Sequence, residues 1–128
     1  MEKKIKFKLT TISTDNPVNV IKGEGVYREK DGRVLITHVD KEENKTSMII
    51  TEGKVLLIRR SPLYQLKIPV RAGEELLGIM GEESTFTVIG KIMEFEKDNK
   101  RGRVYLEYNL PDLSEKPTDF RVEAEFEF

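Results

Sequence analysis

From Phe120 onward the chain alternates without a break: Phe120, Val122, Ala124, Phe126 and Phe128 are apolar, and Arg121, Glu123, Glu125 and Glu127 between them are charged. Successive side chains of a strand point to opposite faces, so a period of two gives a ribbon with one dry face and one charged face. That is the pattern of a half-buried antiparallel strand, and the remaining segments must supply the cover for its dry side.

Residues 3–13 repeat the pattern with an outer row of Lys4, Lys6 and Lys8 over Ile5, Phe7 and Leu9. Three like charges on one strand favour acidic neighbours, and Glu123, Glu125 and Glu127 supply them. The first and last strands are therefore expected side by side, which would close the sheet on itself. Asp15, Asn16 and Pro17 read as a turn. Residues 20–30 form a second strand containing Gly23 and Gly25, and Asp31-Gly32 is a type I′ hairpin signal leading into 33–39. The polar stretch 40–44 connects to a strand over 46–51, and Glu52-Gly53 turns the chain into 54–60. There Val55, Leu56, Leu57 and Ile58 are apolar on both faces, as in a strand covered on both sides.

After Ser61 and Pro62, residues 63–71 put Tyr64, Leu66, Ile68 and Val70 on one face, while Pro69 confines the strand to an edge or a bulge. Ala72-Gly73 is a turn, and 74–80 carries the chain's one helical flavour, kept short by Gly78 and Gly81. Residues 84–97 exceed a usual strand length. The apolar parity passes from Phe86 and Val88 to Met93 and Phe95 across Gly90, as one extra residue at a bulge would cause. Residues 98–102 form a hairpin loop, and 103–110 alternate again until Pro111. The loop over 112–119 returns to the final strand, with an expected register of Tyr108 opposite Val122, Leu106 opposite Ala124 and Val104 opposite Phe126. That register sets Arg103 across from Glu127.

About ten strand-like runs, with no convincing helix and no internal repeat, predict one all-β domain over residues 1–128. The expected architecture is a closed or nearly closed antiparallel meander barrel of about 8–10 strands. A barrel is preferred to a sandwich because pairing of the first and last strands leaves no exposed edge.

Composition narrows the function classes. The 128 residues contain no cysteine, which excludes disulfides, thiolate metal sites and a thiol nucleophile and suits a reducing cytosol. No apolar run approaches the ~20 residues of a membrane-spanning helix, and alternation rather than an apolar h-region follows Met1. A cytoplasmic protein without a membrane partner is expected, and the Asn44-Lys45-Thr46 sequon is read as chance. Formal charge is -1, so no global field draws the chain to nucleic acid or anionic lipid. Charged residues make up 35% against a single glutamine, a balance compatible with a heat-adapted host.

Gly25-Val26-Tyr27-Arg28-Glu29-Lys30-Asp31-Gly32 is followed by Val34-Leu35-Ile36-Thr37, then by Lys54-Val55-Leu56-Leu57-Ile58-Arg59-Arg60-Ser61, then by Glu107-Tyr108 and the terminal strand of alternating charge. With these segments the chain resembles the YwiB-like family of small bacterial proteins. The resemblance implies a calycin-like, lipocalin-like β-barrel with an internal cavity, and it brings no assigned activity. Such a barrel has eight strands, so two of the ten runs are expected to be fragments of bent strands. Residues 72–81 depart from the family in being more apolar.

A barrel of that size can hold one small ligand, anchored by inward polar groups. The candidates are Tyr27, His38, Arg59, Arg60, Tyr64 and Arg71. Arg59 and Arg60 are adjacent in a strand, so one of them points inward, where a guanidinium needs an anion or carbonyls. His38 has no second histidine or cysteine to complete a zinc site, and no metal or cofactor is expected. No nucleophile-elbow sequence accompanies Ser47, Ser61 or Ser84, so no catalytic residue is assigned and the chain is read as a non-enzyme. The expected function is binding of a small, partly apolar anion inside the barrel, by a monomer or weak homodimer.

A second reading takes the basic hairpin of Lys97, Lys100, Arg101 and Arg103, with Tyr105 as an outer stacking platform, as an RNA- or protein-interaction surface. Residues 101–108 partly match the aromatic strand of an RNA-recognition motif, but Arg103 and Val104 stand where that motif has an aromatic and a glycine. A nucleic-acid partner is therefore the lesser expectation.

Overall fold

The computed structural model describes residues 2–14, 18–112 and 117–128. It is built of ten antiparallel strands: β1 (Glu2–Ser13), β2 (Asn19–Lys30), β3 (Arg33–Val39), β4 (Lys45–Thr51), β5 (Lys54–Arg60), β6 (Gln65–Arg71), β7 (Glu75–Met80), β8 (Ser84–Lys97), β9 (Arg101–Leu110) and β10 (Thr118–Glu127). Each pairs with its neighbours in sequence, and β1 pairs with β10, so the meander runs into a hydrogen-bonded ring. The expected turn at Asp15, Asn16 and Pro17 and most of the loop after Asp112 lie outside the described residues. All ten runs are separate strands, so the reduction to eight expected from the family resemblance does not hold.

The lysine row meets the glutamate row as charge patterning requires: Lys6 is opposite Glu127 and Lys8 opposite Glu125. Asp31 and Gly32 both adopt positive φ, 53° and 76°, which the type I′ hairpin demands. The register breaks between Gly90 and Ile92, which carries the apolar parity of β8 from even to odd positions.

Three further expectations fail. The stretch 74–80 is a strand, not a helical turn. Gly78 faces Phe86 across β7 and β8, and a Cβ there would strike the Phe86 ring, so this glycine makes room for an aromatic residue. The β9/β10 register is displaced by two residues: Tyr108 faces Phe120, Leu106 faces Val122, Val104 faces Ala124 and Arg103 faces Glu125. Displacement by two keeps every side chain on its face, so alternation cannot distinguish the two registers. Ring packing does: Phe126 lies over Gly102, where no side chain obstructs it, and Tyr108 stacks on Phe120 with centroids 5.2 Å apart. Finally, among the described residues no second layer covers the outer side of β5. Leu56 and Ile58 are half-buried there, and Leu56 sits in a row with Leu35, Ile49 and Pro69 on adjacent strands.

The core is the inside of the ring. Ile5, Phe7, Leu9, Ile36, Met48, Val55, Val70, Val88, Val104, Leu106 and Val122 are among its buried side chains, and strands from all round the ring contribute. The interior is filled over most of its length, so the polar inward positions that matter lie near its ends.

Candidate functional site

The two ends differ in chemistry. At one end, where β2 and β10 finish and β1 begins, Tyr27 is fully buried between Phe126 and Phe128, with centroids at 5.6 and 5.0 Å. Its hydroxyl donates to Glu29 at 3.0 Å, and burial followed by that carboxylate pushes the phenol well above its usual pKa. Lys97 reaches Glu29 at 3.9 Å and lies over the Tyr27 ring, while Lys3 lies over Phe128. Aromatic rings, cations and a carboxylate together close this end.

At the other end, alternation from the buried Val55 and Leu57 carries Arg59 inward and leaves Arg60 exposed outside. Arg59 stands directly across from Thr46 on β4 and Leu66 on β6. Thr46 in turn faces His38, and Leu66 faces Met80. His38, Thr46, Arg59, Leu66 and Met80 thus form one inward row across five strands. His38 and Arg59 are two strand spacings apart, roughly 10 Å.

His38 is 5% exposed and stacks on Phe7 at 5.4 Å. Its Nδ1 lies 2.7 Å from the Glu24 carbonyl. A carbonyl can only accept, so Nδ1 carries the proton, and in the neutral ring Nε2 is left as an acceptor. Nε2 is the one buried side-chain nitrogen or oxygen without a hydrogen-bond partner among the described residues. Tyr108 is also buried at this end. Desolvation raises its pKa, and the positive charge of Arg59 opposes that shift. Among the described residues no carboxylate lies within salt-bridge distance of Arg59, whereas Arg28, Arg71, Arg103 and Arg121 are all bridged.

The six interior candidates therefore separate. His38 and Arg59 share the end opposite Tyr27. Tyr64 is 53% exposed in the turn between β5 and β6, where its main chain closes on Ser61. Arg60 is exposed on the outer face nearby. Tyr27 sits inside the closed end, and Arg71 is exposed and bridged to Glu74 at 3.0 Å. Sequence reasoning missed Thr46, Leu66, Met80 and Tyr108 as lining residues. The parity of β4, which puts Thr46 in line with Met48 and Ile50, was the available signal.

The basic hairpin lies against acids. Arg103 bridges Glu123 at 3.0 Å and Glu96 at 3.5 Å while lying over the Tyr105 ring, and Arg101 faces Glu127. Asp98 accepts from the main-chain N–H groups of Lys100 and Arg101, which holds its carboxyl below the usual pKa and fixes the turn. Glu123 is held low by its hydrogen bond with Glu125 and by Arg103, whereas Glu125 is raised, first by the same shared hydrogen bond. A groove of about 850 Å³ crosses this outer face from β8 to β2, edged by Lys6, Lys8, Lys22 and Glu24.

No protein-family model and no curated protein sequence matches the chain. Among solved structures it is similar to the ywiB protein from Bacillus subtilis, with a TM-score of 0.81 and 16% identity over 98% of this chain and 92% of that one. At that identity the likeness is one of fold.

Proposed function

We propose that this protein is a calycin-like, non-enzymatic binding protein of the cytoplasm that takes a small, partly apolar anion into the open end of its ring. One observation carries the reading: an inward arginine without a carboxylate partner among the described residues shares an inward row with a buried histidine nitrogen that has no hydrogen-bond partner. A buried polar group without a partner costs about 1–3 kcal/mol, and a ligand that satisfies it recovers that loss. Arg59 would hold the carboxylate, sulfonate or phosphate of the ligand, and His38 Nε2 would accept from a hydroxyl or N–H about 10 Å away. Leu66, Met80 and the Tyr108–Phe120 stack offer the apolar surface between them. Because the ring interior is packed with core side chains, the ligand sits in the mouth rather than along the axis.

Native mass spectrometry of the protein purified from its host should show a retained small molecule. With 6-hydroxy-2-naphthoate as a probe, titration should shift the NMR signals of His38 and Tyr108, and Arg59→Gln should weaken binding about tenfold or more. Equal binding by Arg59→Gln and the parent protein would dismiss the proposal. The basic hairpin supports a nucleic-acid reading less well, since acids flank its arginines.

A further inference from the structure

Away from the mouth, the outer face of the ring divides by charge. Strands β3, β4, β5 and β6 contain no aspartate or glutamate, and Lys45, Lys54, Arg60, Lys67 and Arg71 are among their outward side chains. The next stretch reverses the sign: residues 72–90 hold Glu74, Glu75, Glu82 and Glu83 and no lysine, arginine or histidine. Arg71 bridges Glu74. Lys54, Arg60, Lys67, Glu75, Glu82 and Glu83 form no ion pair among the described residues.

An apolar seam runs between the two fields. Leu76 and Gly78 of β7 face the buried Val88 and Phe86, so alternation turns Glu75, Leu77 and Ile79 outward. Leu77 is 66% exposed and Ile79 37%, although both belong to a regular strand. Leu56 is opposite Pro69, Ile58 opposite Lys67, and Lys67 opposite Ile79. Carried on by two residues, that register sets Leu77 beside Pro69, which has no N–H to extend the ladder. Lys54 is opposite Arg71, and Arg60 opposite Gln65, whose carbonyl accepts from the N–H of Gly81 where the acidic turn begins. Each level of β5 thus has a counterpart on β7, with β6 midway: Lys54 with Glu75, Leu56 with Leu77, Ile58 with Ile79, and Arg60 with the turn holding Glu82 and Glu83.

We infer that the outer face of β5, β6 and β7 is a docking surface for a second copy of this chain, related to the first by a two-fold axis parallel to β6. Such an axis lays β5 of each copy over β7 of the other. Lys54 then meets Glu75, Arg60 meets the turn of Glu82 and Glu83, and Leu56 and Ile58 cover Leu77 and Ile79. A partner of one sign fits poorly, because an anionic bilayer or an RNA would be drawn to β5 and repelled by the carboxylates of β7 and its turn. Arg71 arrives already paired with Glu74, which leaves Lys67 as the like charge nearest the axis. Two convex faces touch over a narrow band, so the dimer is weak, with a Kd on the order of 10–100 μM. The surface is separate from the mouth holding Arg59, and its fate does not depend on the ligand proposed there.

Sedimentation equilibrium of the full chain from about 5 μM to about 1 mM should show a reversible monomer–dimer equilibrium that weakens as salt rises. Leu77→Ser, at an exposed position, should weaken the dimer about tenfold or more. Lys67→Met should strengthen it. Lys54→Glu and Glu75→Lys should each weaken self-association, since both contacts across the axis then join like charges. An equimolar mixture of those two variants should form a heterodimer, since both contacts then join opposite charges again. A monomer throughout the concentration range, a dimer indifferent to Leu77→Ser, or a mixture that stays monomeric would overturn the inference. The concentration series on the parent protein decides even if a variant does not fold.

Discussion

The two ends of the ring use the same kinds of residue to opposite effect. At the closed end, cations lie over aromatic faces and against Glu29, and Tyr27 spends its hydroxyl on that carboxylate. At the other end, Arg59 has no bridging carboxylate and His38 Nε2 has no hydrogen-bond partner among the described residues. Polar groups that find partners within the chain hold the fold, and polar groups that do not are available to something else. If the proposed function holds, the contrast separates stability from binding by position, and each half can be tested on its own.

The largest effect should come from Phe126→Ala. It removes a 1%-exposed ring from between Tyr27 and its neighbours, and loss of about 3–5 kcal/mol is expected in urea unfolding. A loss below about 1 kcal/mol would mean that this end is not the keystone described. Next, Gly102→Ala drives a methyl into the Phe126 ring and should cost about 1–3 kcal/mol, read by the same method. Arg59→Met, by contrast, keeps an apolar stem in the mouth and should change stability by no more than about 0.5 kcal/mol while reducing probe binding. Equal destabilisation by Arg59→Met and Gly102→Ala would erase the distinction between the ends.

A smaller effect concerns acid. Asp119 accepts from Asn109 and Lys91, which together hold its carboxyl below the usual range. Its folded pKa is depressed, so its contribution is present above the unfolded value near 3.9 and fades as pH falls through the folded value. Asp119→Asn should therefore lower stability modestly at neutral pH, and the difference from the parent protein should fade as pH falls below about 4, which flattens the acid limb of a thermal-melt profile. This carboxylate is well exposed, so the change is modest; a large change at neutral pH would contradict that assignment.

Much of the ring was legible because alternation is a local signal with one physical cause. The pairing of β1 with β10 followed from lysines facing glutamates, and the bend at Gly90 from a parity change across one residue. What alternation could not carry was anything decided by shape at a distance of two residues. The β9/β10 register rests on Phe126 fitting over Gly102, and the strand identity of β7 on Phe86 fitting over Gly78. The candidate site was half legible: adjacency showed that either Arg59 or Arg60 turns inward, but only the parity of β5 fixes which. Thr46 and Tyr108 came to the same mouth through register, which no single segment contains.

Nine of the ten neighbour relations in the ring join consecutive strands, and one, between β1 and β10, joins residues more than a hundred positions apart. Hairpins assemble from short loops, but that last seam must bring together segments made at opposite times during synthesis, and topology of this kind slows folding. A nascent chain lacking β10 would carry the greasy sides of both β1 and β9 uncovered, so the interval before the seam closes is when this protein is most exposed to aggregation and most in need of a chaperone.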